Sequence, residues 1–117
     1  MPRKATTKSK TNTTGIVEGI SITPIPASEG ETLTITYDGL LAKSGAGTVY
    51  THLGYGSNDN WSSINDLVMS SIPQGWTCDI VPEGDRMNFC FHDGANNWDN
   101  NYGHNWSIGL HNGELDK

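Results

Sequence analysis

A chain of 117 residues has room for one domain around one modest core, and 34% hydrophobic content with 14 glycines suits short strands and many turns rather than a helical bundle. The formal charge of -6 is unevenly spread: Arg3, Lys4, Lys8 and Lys10 are four of the seven basic residues, so from Thr11 onward only Lys43, Arg86 and Lys117 face all thirteen acids. Such a body repels phosphate backbones and disfavours nucleic acid as a partner, and no stretch nears the roughly 18 consecutive apolar residues of a membrane span.

Residues 1–14 are rich in Lys and Thr, have no hydrophobic periodicity and are expected to form a disordered arm ahead of a folded body at 15–112, with 113–117 as a flexible tail. The arm contains no apolar run that could serve as a signal peptide, which fits either a cytoplasmic protein or a trimmed form of a secreted one. Residues 15–23 end at Pro24 and Pro26, which confines them to an edge or lead-in strand. Residues 32–37 give the cleanest alternation, with Leu33, Ile35 and Tyr37 on one face and Thr32, Thr34 and Thr36 on the other. In 49–53, Val49, Thr51 and Leu53 point one way while Tyr50 and His52 point the other. A long loop over 54–66 precedes a short strand at 67–69.

Residues 76–81 and 87–92 are joined by Pro82-Glu83-Gly84-Asp85-Arg86 and read as a hairpin, with Met87, Phe89 and Phe91 on its apolar face. Residues 106–110 supply a last alternating strand. About seven short strands and no convincing helix predict an all-β fold, an antiparallel immunoglobulin-like β-sandwich. In the hairpin register that keeps Trp76, Cys78 and Ile80 on the face of Met87, Phe89 and Phe91, Cys90 projects to the other side. The two cysteines are then free thiols; a one-residue slip would permit a cross-strand bridge, at the cost of setting Met87, Phe89 and Phe91 against Thr77, Asp79 and Val81.

Chemistry-bearing patterns are few. The histidines, His52, His92, His104 and His111, stand in no metal-ligand spacing with each other or with cysteine, so no zinc site is expected. Asn97, Asp99 and Asn101 have the alternation of a calcium loop, but Tyr102 occupies the obligatory glycine position and the distal Glu is missing; a structural calcium in some other loop is the remaining alternative to no cofactor. Asp93 and Asp99 could be paired as glycosidase carboxyls, yet their amide-rich surroundings would keep both ionised. No catalytic residue is assigned.

What remains is a pair of tryptophans in polar loops. Trp61 follows Tyr55-Gly56-Ser57-Asn58-Asp59-Asn60, and Trp98 sits within Asp93-Gly94-Ala95-Asn96-Asn97-Trp98-Asp99-Asn100-Asn101. Each ring could cap the sandwich core, as Trp76 and Trp106 in alternating strands are expected to do, but the neighbours of Trp61 and Trp98 are Asn, Asp and Ser rather than Leu or Val. An indole among neutral amides and carboxylates suits a ligand with apolar C–H faces and many hydroxyls, a sugar.

The segment 88–106, with its Asp-Gly-Ala-x-Asn-Trp-Asp-Asn-Asn core, together with Val49-Tyr50-Thr51-His52 and Trp61, resembles the family 25 starch-binding carbohydrate-binding modules over about residues 16–110. The resemblance implies an immunoglobulin-like sandwich that binds α-glucans without hydrolysing them, using a platform of His52, Trp61 and Trp98. Around that platform, Asn96, Asn101 and Tyr50 are the expected additional contacts, and a glucan-active enzyme, separate or covalently linked, is the expected protein partner. A domain that grips a protein through its aromatic loops is the alternative.

Overall fold

Leu33, Ile35 and Tyr37 are wholly buried while Thr34 and Thr36 between them are half exposed, the period-two burial that the alternating sequence dictates. The computed structural model describes residues 13–17 and 19–111, which form eleven strands and one short helix. In chain order these are β1 (Thr13–Val17), β2 (Ile20–Ile25), β3 (Ala27–Ser28), β4 (Leu33–Tyr37), α1 (Leu40–Lys43), β5 (Tyr50–Tyr55), β6 (Ser62–Val68), β7 (Ser70–Ile72), β8 (Gly75–Ile80), β9 (Arg86–His92), β10 (Trp98–Asp99) and β11 (Trp106–His111).

One sheet has the order β1-β2-β4-β8-β7 and the other β3-β11-β9-β5-β6, with β10 added to the end of β9. All pairings are antiparallel except the short parallel contact of β3 with β11. The chain changes sheets at Pro26, between β2 and β3, where the missing N–H ends the first ladder. This is the expected β-sandwich. Its core brings Leu33, Ile35 and Tyr37 of the first sheet against Val49, Leu53, Met87, Phe89 and Phe91 of the second, and the Tyr37 ring stacks on Phe91 with centroids 4.1 Å apart.

Several expected elements differ. The proposed hairpin of 76–81 with 87–92 does not form: β8 pairs with β4 and β7, while β9 pairs with β5, β10 and β11 in the opposite sheet. The connection through Pro82, whose side chain is fully buried, crosses the edge of the sandwich instead of turning within one sheet. The single strand expected over 15–23 is two, β1 and β2, paired antiparallel about a turn at Gly19, where φ is +81°. The loop expected over 54–66 contains most of β6, an edge strand that alternation did not mark because nearly all of its residues are exposed. Thr13 and Thr14 of β1 fall within the segment expected to be an arm; the rest of that arm and the tail at 113–117 lie outside the described residues.

Cys78 and Cys90 are both free. The reason is not a hairpin register. Cys78 points into the core, 3.4 Å from the Thr51 hydroxyl, whereas Cys90 lies on the far side of β9 from Phe89 and Phe91. Cys90 is buried all the same, as is Asn88, so β9 is covered on both faces. The Asn88 amide donates to the Gly56 carbonyl and accepts from the Ser107 hydroxyl, which satisfies it inside that outer layer.

Candidate functional site

Tyr50 and His52 alternate with the buried Thr51 and Leu53, so both side chains stand on the outer face of the second sheet. The registers of its neighbours align two cross-strand rows there. In one row His52 of β5 lies between Asp66 of β6 and Cys90 of β9; in the other, Tyr50 is flanked by Val68 and by His92, which in turn faces Trp98 of β10.

The rings make one continuous aromatic surface. Trp61 lies 5.7 Å from His52 at an interplanar angle of 33°, and Trp98 lies 5.2 Å from the same imidazole at 90°. The two indoles therefore flank one histidine with their planes steeply inclined to each other. Trp98 also leans on His92 at 4.4 Å, and Tyr50 stacks on the other side of His92 at 4.9 Å with only 8° between planes. Trp98 remains 46% exposed, and Trp61 is half-buried.

Local chemistry fixes each indole. Gly54 forms the floor under Trp61: a Cβ there would meet the Trp61 Cβ and Cε3 at 2.8 Å, so only glycine lets the ring lie on the strand. The Trp61 Nε1–H donates to both the carbonyl and the side-chain oxygen of Asn58, and the Asn58 amide donates to the His104 carbonyl, which ties this loop to the one after Trp98. On the other side, Asp93 folds the turn that delivers Trp98. Its carboxylate accepts from the amides of Ala95 and Asn97 and from the Asn97 side chain, and these bonds hold the Asp93 carboxyl below its ordinary value. Asp99 of β10 faces inward and accepts from the Tyr37 hydroxyl and the Leu40 amide, which pins the strand to α1. Burial and that contact with Asp99 push the Tyr37 phenol well above its ordinary value.

Between the indoles, Asp66 joins two imidazoles. Its Oδ1 lies 2.7 Å from His52 Nδ1 and 2.9 Å from His92 Nε2. Partial burial raises the Asp66 carboxyl, but the hydrogen bonds from His52 and His92 outweigh it and hold the group below its ordinary value. An ionised carboxylate only accepts, so both ring nitrogens donate to it. The Gly94 amide donates to His92 Nδ1, which agrees with a proton on Nε2, and a neutral His52 then offers Nε2 as an acceptor at the centre of the platform. The three donor atoms lie within 4.8 Å of one another and are a group among the described residues that could hold a metal ion. Spacing along the chain gave no sign of this trio, because its members come from three neighbouring strands.

The remaining expected contacts divide. Asn96 is exposed at the tip of the Asp93 turn with φ +72°, two residues before Trp98 in sequence. Asn101 has φ +58° and donates its amide to the Asn105 carbonyl, so it closes its own loop. Asn97, Asp99 and Asn101, the run set aside as a calcium loop, bond to Asp93, Tyr37 and Asn105 respectively. Gly54, Asn58, Asp66 and His92 are part of the site without having been foreseen; for His92 the alternation of 87–92 was the available signal, since it placed that ring on the same outward face as Asn88 and Cys90.

Residues 33–89 match the family model of a starch/carbohydrate-binding module, family 53, a span that includes Tyr50, His52, Trp61 and Asp66 but stops short of Trp98. An alpha-amylase of Clostridium acetobutylicum is 36% identical over 96 residues, which cover 78% of this chain and 12% of that relative. No solved structure matches the chain significantly. The matching model is of family 53 where the motifs resembled family 25, and what the two have in common, a starch-binding module, is the class that these comparisons support for this chain.

Proposed function

We propose that this chain is a non-catalytic module that binds α-1,4-glucans such as starch, maltooligosaccharides or glycogen by stacking glucose rings on Trp61 and Trp98. The observation that carries the reading is the pair of inclined indoles on either side of His52. An α-1,4-glucan curves as it extends, so two inclined planes can each cover one glucose face, whereas a coplanar row would suit a straight β-linked chain. His52 Nε2 and the amide of Asn96 are the hydrogen-bonding partners for sugar hydroxyls, with Asn101 and Tyr50 supporting the loop and the far end of the ring surface.

Magnitudes limit the affinity. A ring that removes about 40 to 60 Å² of apolar surface from water contributes about 1 to 1.5 kcal/mol. Each hydrogen bond to a hydroxyl adds about 0.5 to 1.5 kcal/mol net. After the cost of association the expected dissociation constant for a short maltooligosaccharide is roughly 10 µM to 1 mM. The carboxylates fit a binding role: hydrogen bonds hold Asp66 and Asp93 below their ordinary values, the wrong direction for a general acid, and both are occupied in holding other residues. The amylase relative supports a glucan-active enzyme, linked or separate, as the partner.

Isothermal titration with maltoheptaose tests the platform. Trp98→Ala and Trp61→Ala should each weaken binding on the order of tenfold. Full affinity in both variants would remove the basis of the reading.

A further inference from the structure

Tyr102 is 96% exposed, more than any other large hydrophobic residue of the described chain, and its φ is +57°, a left-handed conformation unfavourable for an aromatic residue. The nearby Asn101, Gly103 and Asn105 also have positive φ, which Asn and Gly tolerate, so Tyr102 is the residue of this run least suited to its backbone. Neither water nor the local backbone favours this arrangement, since a free chain would relax the backbone and cover the ring.

The loop is nevertheless held in place. The Asn100 carbonyl accepts from the Gly103 and Asn105 amides, the Asn101 carbonyl accepts from the His104 amide, and the Asn101 side chain bonds the Asn105 carbonyl. Asn58, which also receives the Trp61 indole N–H, clamps the loop from outside through the His104 carbonyl. The same residue thus orients Trp61 and anchors the segment that displays Tyr102. An exposed phenol on an unfavourable backbone, displayed from a loop that Asn58 ties to the one carrying Trp61, is the kind of strained presentation that clusters at ligand sites.

Building on the glucan reading above, we infer that Tyr102 is an outlying sugar subsite beside Trp61, contacted only by glucans too long to be covered by the two indoles. It stacks a further glucose and so makes affinity depend on chain length. Its ring, rather than its hydroxyl, carries the contact.

The test compares maltotriose with maltoheptaose by isothermal titration on the wild-type chain, Tyr102→Asn and Tyr102→Phe. Asn tolerates the left-handed conformation, so Tyr102→Asn should keep or raise the melting temperature while weakening maltoheptaose about fivefold and leaving maltotriose unchanged. Tyr102→Phe should bind both like wild type. Unchanged maltoheptaose affinity in Tyr102→Asn overturns the subsite while the two-indole reading stands, and so does an equal loss for both sugars with a lowered melting temperature, which would make the ring structural. A wild-type chain that binds neither sugar overturns the glucan reading and the subsite with it.

Discussion

At the scale of single residues, the candidate site depends on groups that hold its rings in place. Gly54 is the sharpest case, because the Trp61 ring occupies the volume a side chain would need. Gly54→Ala should displace the indole and weaken maltoheptaose binding about as much as Trp61→Ala, with the fold retained, as titration and circular dichroism would record. Asp66 is the second case. Its folded-state value is depressed, so its contribution to stability is fully present above the ordinary carboxylate value of 3.8 and is lost as pH falls through the lower folded value. Asp66→Asn should therefore lower stability at neutral pH and flatten the loss that the wild type shows below about pH 4, measured by urea denaturation across the acid range. An unchanged acid profile would mean that the two imidazoles do not depend on this carboxylate.

At the scale of elements, β9 is the strand on which both halves of the molecule rest. Its inward residues Met87, Phe89 and Phe91 are wholly buried, and its outward His92 carries the contact to Trp98. Phe91→Ala removes the ring against which Tyr37 and Trp106 pack and should cost about 3 to 5 kcal/mol in chemical denaturation. Cys90 on the other face is shielded, and burial, with Asp66 and Asp99 nearby, pushes its thiol up to about 11. A disulfide reagent should react slowly with the native protein and count two thiols after denaturation without reductant. How far such elements were legible in the sequence depended on burial. Strands with one buried and one wet face, β4 and β5, stood out through alternation. β6 did not, because an exposed edge strand imposes no pattern, and β8 was misassigned to a hairpin because local turn residues around Gly84 look the same whether a chain reverses within a sheet or crosses to the other one. The indoles were legible as rings out of place in polar loops, and His52 through the resemblance to starch-binding modules. Asp66 and His92 were not, since their meeting depends on a register between strands distant in the chain.

At the scale of the whole molecule, an acidic sandwich carries an aromatic face whose polar groups include two imidazoles and neutral amides, with the Asp66 carboxylate already engaged by both imidazoles. Such a face should discriminate by ligand shape more than by charge, and because each site is weak, polymers or tandem copies gain from multiple contacts. A protein-binding surface would be insensitive to soluble maltooligosaccharide, whereas a glucan site should be emptied by it. The most direct measurement is migration in native gels cast with amylopectin, glycogen, xylan or hydroxyethyl cellulose. Retardation by amylopectin and glycogen, relieved by added maltoheptaose and absent with the two β-linked polymers, is the predicted result; equal migration in all four gels, or retardation by the β-linked polymers alone, would contradict it.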